Sequence, residues 1–468
     1  MKLALTDVPE DGAAAMPSSP ATEVHPGWAS VTLTGWGRAL RAPCLAARPE
    51  RIRDLRDAVL SPPDGRSVLP YGSGRSYGDV ALNSGGAAII TRRLDRMLDF
   101  DPATGLLVTE PGVTFADLLR AFLPHGFAPP VSPGTGFATL GGAVANDVHG
   151  KNHHHAGSFG DHLEWVELLL ADGRVVRASD SENAELFRAT IGGIGLTGVV
   201  TALCIRLMRV PSNALLVRRR RIHDLDAFLA GLEAAAGSTY SVGWVDAVAS
   251  GASLGRGTLE IADPAPEPIP EATSRPRGVP FDLPGWSLNK LTVRAFNELY
   301  WRRVPAEGQE TREGYGRFFY PLDAVADWNR VYGRAGFHQF QCVLPFEDGA
   351  AALRRLLETV AAGSGGLSPL AVLKAMGPQG RGLLSFARPG WTLALDVRAL
   401  PGTASLFAGL ERITRDAGGR IYLAKDAMLS AEGFAAMYPE AARFRAIRAQ
   451  VDPQGRFCSD LARRVGLA

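Results

Sequence analysis

Apolar positions in the first 212 residues switch repeatedly between helical and strand spacing. Glu50 to Leu60, after Pro49, puts Ile52, Leu55 and Val59 on one helical face, and Ser67 to Tyr71 reads as a short extended segment. Ala87 to Thr91 and Leu106 to Thr109 have strand character. Thr114 with Asp117 predicts an N-cap box ahead of Leu118, Leu119, Phe122 and Leu123, and Pro124 with Gly126 closes that helix. Trp165 to Leu170 and Arg174 to Ala178 flank an Asp172-Gly173 turn, so antiparallel pairing is expected there. Ser181 opens a helix ending near Gly192, and the apolar run Leu196 to Leu207 predicts a buried strand.

Beyond residue 212 glycine motifs thin out. Arg218 to Arg221 reads either as a solvated strand or turn or as a contact for an anionic ligand, and Asp263 to Gly285, with seven prolines, predicts a mobile loop. No internal repeat is visible. The length of 468 residues suggests two or three folding units. Lys plus Arg number 50 against 48 Asp plus Glu, so a net charge of +2 gives no whole-molecule attraction for nucleic acid. Cys44, Cys204, Cys342 and Cys458 are too far apart for a C-x-x-C pair and read as free thiols. Residues 1 to 23 look like a flexible tail without the pattern of a secretory signal. The longest stretch without Asp, Glu, Lys or Arg, Ala121 to Asn146, is too rich in proline and glycine for a membrane helix.

The 53 glycines gather where chemistry is expected. Tyr71-Gly72-Ser73-Gly74-Arg75-Ser76-Tyr77-Gly78-Asp79 follows an extended segment, and its glycines let consecutive N–H groups converge on a diphosphate. A second loop runs from Pro133-Gly134-Thr135-Gly136 through Thr139-Leu140-Gly141-Gly142 to Asn146-Asp147-Val148-His149-Gly150. Two such loops suit a dinucleotide, although neither has the Rossmann order and no Walker A motif is present. His149, His153, His154, His155 and His162 invite a metal reading. Gly150 and Gly157 discourage a helix and no H-E-x-x-H is present, so polar loop residues, one of them lining a site, are the expectation, with no metal.

The order P-x-G-S-G-R-S-Y-G-D, P-G-T-x-x-x-T-x-G-G, H-G-K-N-H-H and G-x-G-L-T-G (Gly193 to Gly198) resembles the vanillyl-alcohol-oxidase, or PCMH-type, FAD-dependent oxidases. Within them it is most similar to the decaprenylphosphoryl-β-D-ribose 2′-oxidase branch. The resemblance runs from about Gly35 to the C-terminus and includes Phe319-Tyr320-Pro321-Leu322-Asp323, Tyr422-Leu423-Ala424-Lys425-Asp426 and Ala462-Arg463-Arg464. It implies an α+β fold: a two-part FAD-binding domain from residues 24–212 and 420–468, and an antiparallel-sheet substrate domain over 213–419.

For the cofactor, the resemblance implies Pro70, Tyr71, Gly72, Ser73, Gly74, Arg75, Ser76, Tyr77, Gly78, Asp79 and Val80 with Gly134 around the diphosphate. Thr139, Leu140, Gly141, Gly142, Asn146, Asp147, Val148 and His149 then run along it, completed by Val200 and Tyr422. Some relatives attach flavin through a histidine in the first loop; Arg75 and Tyr77 stand in that loop here, so noncovalent FAD is expected. The implied reaction takes the proton from a ribose 2′-hydroxyl and the hydride from its carbon. Lys425 and His149 flank the carbinol, with the base open between them, and Tyr77 is the third catalytic candidate. Trp244, Phe319, Gln339, Gln341, Lys374 and Ala394 are the remaining candidates for the sugar pocket.

Two residues depart from the family pattern. Ala394 stands where many members have cysteine, which removes a nucleophile but leaves oxidation intact, and Phe319 stands where tyrosine is common. The implied partners are a polyprenyl-phosphate sugar, an NAD(P)H-dependent 2-keto reductase and a membrane surface touched peripherally, with the side of the membrane left open. The alternatives are an oxygen-using FAD oxidase of a soluble sugar, alditol or aldonolactone, a flavin-binding protein without turnover, and a histidine-cluster metal binder.

Overall fold

The computed structural model describes residues 26–270, 277–363 and 369–468. The expected tail at 1–23 and residues 271–276 of the Pro-rich segment lie outside the described residues.

Local signals account for most of the first region. Ile52–Leu60 is helical and buries Leu55, Ala58 and Val59. Phe115–Phe122 starts on a Thr114–Asp117 capping box and buries Phe115, Leu118, Leu119 and Phe122. The Asp172-Gly173 turn joins Leu163–Leu169 to Val175–Ser179 in antiparallel register. A four-stranded sheet takes the order Ala29–Thr34, Arg41–Ala47, Ala87–Ile90, Val68–Tyr71. A five-stranded antiparallel sheet takes the order Met97–Asp101, Leu106–Thr109, Val199–Arg206, Leu163–Leu169, Val175–Ser179.

An eight-stranded antiparallel sheet follows. Its order is Gln309–Gly314, Ala214–Ile222, Gly257–Pro264, Tyr240–Val245, Ala371–Met376, Gly390–Arg398, Phe337–Leu344, Arg420–Ile421. Strand Gly390–Arg398 explains its two faces. Trp391, Leu393, Leu395 and Val397 are nearly inaccessible and belong to the main core with Leu353, Leu356 and Leu357 of helix Phe346–Ala362. Thr392, Ala394 and Asp396 therefore point the other way, because successive side chains alternate.

The chain then returns to the first region. Phe457 bridges to Val68 and sits in a satellite core with Leu55, Val59 and Ile89. Arg464, on the last helix Asp460–Arg464, holds both carboxylate oxygens of Asp79 at 2.8 Å and Asp426 Oδ2 at 2.8 Å.

Three expectations need correction. The second glycine loop is partly helical: Leu140–Asn146 forms a helix capped by Thr139, because Leu140, Ala143 and Val144 share one buried face despite two glycines. A helical turn, His153–Ala156, fits between Gly150 and Gly157, the latter closing it at φ 72°. The Pro-rich segment begins inside strand Gly257–Pro264, and Arg277–Gly278 pairs in parallel with Val325–Ala326. The basic run bears out its strand reading: it lies within strand Ala214–Ile222, and three of its four arginines are matched internally, Arg218 to Asp263, Arg219 to Glu260 and Glu313, Arg221 to the carbonyls of Arg302 and Val304.

Candidate active site

Sheet register assembles the site. Direct partners share a face, and the pairs Gln339↔Asp396, Gln341↔Ala394, Val372↔Ala394, Lys374↔Thr392 and Trp244↔Val372 carry one surface across four strands. Against it comes the segment after Asn146. His149 Nδ1 lies 3.1 Å from Lys374 Nζ and its Nε2 lies 2.9 Å from Gln341 Nε2. Lys374 also donates to the Gly150 carbonyl at 3.0 Å, and Gln341 donates to Thr392 Oγ1 at 3.2 Å.

Lys425 enters from the C-terminal return. Its ammonium lies 3.8 Å from the centroid of the Tyr77 ring, which meets Phe337 edge-on at 5.5 Å. Tyr422, three residues earlier, donates to the Asn146 carbonyl at 2.9 Å and stacks on Phe386 at 4.6 Å, beside His149. Four of the expected residues, Tyr77, His149, Lys374 and Lys425, thus converge from three separate parts of the chain.

Cations crowded away from water lose affinity for protons. Burial, with Lys151 and Lys425 nearby, brings Lys374 down to about 7. Burial brings Lys425 down to about 8, opposed by the charge of Asp396. His149 is pushed well below the ordinary imidazole range by burial and by Lys374, so its ring is neutral at neutral pH. Asp396, fully buried, is raised to about 7 even though Gln339 and the Tyr332 hydroxyl donate to it. Burial also raises the Tyr77 phenol well above its usual value.

The glycine loops fit a dinucleotide by a separate test. A Cβ on Gly72 would stand 2.4 Å from Thr139 Oγ1, so the first loop has no room for a side chain where it meets the Thr139 hydroxyl of the second. Gly74 takes φ 62°, a left-handed conformation that favours glycine. Arg75, between the rings of Trp36 and Phe137 at 4.1 and 4.7 Å, keeps its Nε buried without a partner, as does Asn146 Oδ1. Buried polar atoms left unpaired beside a two-loop cradle suit a polar ligand such as FAD.

Other expected residues are engaged elsewhere. Asp79 ties down Arg464, and Asp147, at φ 41°, accepts from Gly160 N and Ser385 Oγ. Trp244 shares the site face but donates to the Pro369 carbonyl and packs on Tyr300 at 4.7 Å. Phe319 belongs to an aromatic cluster with Tyr240, Tyr315 and Phe318. Val200 is buried opposite Leu168. The histidines disperse: His153 Nδ1 accepts from Gly377 N, while His154 and His162 each pair with a backbone carbonyl. Among the described residues no group of three His, Cys, Asp or Glu side chains is arranged to hold a metal.

Sequence reasoning missed Asp396, Thr392 and Phe386. The first two had a signal, since Trp391 to Val397 alternates strictly and its three non-core positions define a face. Phe386 lies in a loop and had none.

Residues 43–179 match the FAD binding domain family, and residues 390–465 match the D-arabinono-1,4-lactone oxidase family. The chain is 37% identical over 456 residues, 93% of its length and 97% of the relative's, to decaprenylphosphoryl-β-D-ribose oxidase of Mycolicibacterium smegmatis. It is 38% identical over 76% of its length, and the whole of the relative's, to an uncharacterized protein of Streptomyces coelicolor. An L-gulono-1,4-lactone dehydrogenase of Mycobacterium tuberculosis is 25% identical over 92% of this chain and 97% of its own. Fold, cradle and family matches together define an α+β, FAD-dependent oxidoreductase acting on a CH–OH group. Within that class, the near-complete match at 37% identity shows that the chain belongs to the decaprenylphosphoryl-β-D-ribose oxidase family.

Proposed function

We propose that the protein oxidises the 2′-hydroxyl of decaprenylphosphoryl-β-D-ribose to the 2-keto sugar, the first half of an epimerisation to the arabinose lipid used for cell-wall arabinan. The observation that carries this reading is the convergence of Lys425, Tyr77, His149 and Lys374 beside the cradle, in a chain matched almost end to end by a relative of that name. The 25% identity of the lactone dehydrogenase makes a soluble lactone the weaker reading. The domain division at 24–212 with 420–468, around 213–419, belongs to the same proposal and is supported by the return of Phe457 and Arg464 to the first region.

FAD, when bound, accepts the hydride from the carbinol carbon. Lys425 is the better base of the two candidates. With a pKa near 8 a substantial fraction of its amine is neutral under mildly basic conditions, whereas both ring nitrogens of His149 are occupied by Lys374 and Gln341. The buried amides of Gln339 and Gln341 fix the sugar by hydrogen bonds, and neutral His149, in contact with both Gln341 and Lys374, holds those two side chains in place. The edge of Tyr77 and the half-buried Ala394 shape the remaining wall. FAD is held noncovalently, and a separate NAD(P)H-dependent reductase consumes the ketone. The lipid-linked substrate is met by peripheral membrane contact; among the described residues no helix is long and apolar enough to cross a membrane.

An anaerobic absorbance titration tests this reading. Decaprenylphosphoryl-ribose bleaches the oxidised flavin band, and acid precipitation releases free FAD. Lys425→Met keeps its flavin but slows reduction by about 10²–10⁴-fold, the usual contribution of a positioned base. A band that stays oxidised with this substrate but bleaches with an aldonolactone would reverse the assignment.

A further inference from the structure

The five most exposed large apolar side chains among the described residues lie within one stretch: Leu291 (77%), Trp286 (76%), Leu299 (72%), Phe281 (61%) and Phe296 (50%). Such clustering is unlike the scattered exposed hydrophobics of an ordinary surface. Helix Lys290–Arg302 shows why. Its inner side is Val293 and Asn297, the latter donating to buried Asp246 at 2.6 Å, and Tyr300 packs on Trp244. Its outer side repeats Leu291, Ala295 and Leu299 at i, i+4, i+8, a second apolar stripe turned to solvent. Trp286 stands at the head of this stripe, because Asn289 donates to its carbonyl and Thr292 Oγ1 to that of Ser287.

Cations surround the stripe. Lys290, Arg294 and Arg303 have no carboxylate partner among the described residues, while Glu298, the one acid on the helix, is held by Arg256 and Arg302. An apolar face rimmed by unpaired Lys and Arg, with a tryptophan at one end, matches an anionic bilayer: rings and leucines enter the acyl boundary and the cations meet phosphates. The same helix reaches the site face through the Tyr300–Trp244 contact.

We propose that Trp286 and the Leu291–Leu299 face of this helix form the surface by which the protein docks on an anionic membrane and takes up its substrate beside Trp244. The uptake half rests on the lipid-linked substrate proposed above; the docking half is tested without it. The FAD-loaded full chain is sedimented with phosphatidylglycerol vesicles and with phosphatidylcholine vesicles. Leu291→Gln/Leu299→Gln and Lys290→Glu/Arg294→Glu each lose about tenfold or more of the binding to anionic vesicles, in line with the area and charge removed. Both variants keep the melting temperature of the parent and, with a water-soluble short-prenyl phosphoribose, its rate of flavin reduction within about twofold, since surface changes away from a site are close to neutral. Parent protein that ignores anionic vesicles, or variants that bind like the parent, overturn the proposal. So does a parent dimer that Leu291→Gln/Leu299→Gln converts to monomer with vesicle binding unchanged, because the stripe is then a contact between copies. Patch-dependent vesicle binding without flavin reduction by any phosphoribose lipid keeps the docking surface and removes the substrate reading; reduction of the short analogue without vesicle binding does the reverse.

Discussion

The cofactor cradle and the sheet face opposite it are built on different principles. In the cradle, backbone meets backbone: a Cβ on Gly78 would stand 1.6 Å from the Asp426 carbonyl oxygen, and Tyr77 N donates to the Ala424 carbonyl at 3.1 Å. On the sheet face, side chains from four strands meet one another, and each position is one of an alternating series. A region whose shape comes from missing side chains is intolerant of any addition. A region whose chemistry comes from present side chains can be altered one group at a time, and its electrostatics then shift by degrees.

Gly78→Ala should have the largest effect. The added methyl must push the 70–80 loop off the C-terminal return, at a cost on the order of 3 kcal/mol, so thermal denaturation begins earlier and the purified protein carries little flavin. Retention of full flavin content and melting temperature would break the contrast, because the cradle would then yield as easily as the sheet face.

Lys374→Met sharpens the other side. In the folded protein Lys374 titrates near 7, whereas in the unfolded chain a lysine titrates near 10.5, so between these values the unfolded state binds more protons. Each step down in pH across that window favours unfolding, and the penalty is complete below about 7. Removing the amine therefore stabilises the variant relative to the parent progressively as pH falls from about 10 to 7, by on the order of 5 kcal/mol, with no further gain below. Urea denaturation at several pH values reads the difference. The opposite contribution of Asp396, whose raised carboxyl favours the folded state below about 7, is present in both proteins and largely cancels in the comparison. A parallel offset at every pH would show that Lys374 is not a strained cation.

The smallest effect is expected from Ala394→Cys. Cys44, Cys204, Cys342 and Cys458 are all buried, so native protein should react slowly with a thiol reagent, and the variant should add one fast thiol on the half-buried site face. Flavin reduction by substrate stays within about twofold, since hydride transfer uses no thiol. A large gain in rate would place the side chain at this position in the oxidation itself.

The legibility of these regions in the sequence follows from the same contrast. The first glycine loop, the Thr114 cap and the Asp172-Gly173 hairpin depend on residues close together in the chain, and they read directly. The helix Leu140–Asn146 escaped because glycine propensity argued against it while three buried apolar contacts decided for it. For Arg218 to Arg221 the choice between a strand and an anion contact stayed open because Glu260, Asp263 and Glu313, the partners of Arg218 and Arg219, are 40 or more residues away in the chain. Asp396 was overlooked although its strand alternates, since an isolated carboxylate gains importance only beside Lys425, Gln339 and Tyr332.

By itself the sequence determined the class of cofactor and the family, because these rest on local glycine geometry and on ordered motifs, and it pointed to most of the residues proposed for the chemistry. Tertiary structure alone decided which side chains lie together. Strand register set Gln341, Lys374 and Asp396 on one face, and the return of the C-terminal segment brought Lys425 to Tyr77. Their proton affinities followed from that, since burial and neighbouring charge are properties of proximity in space and not of position in the chain.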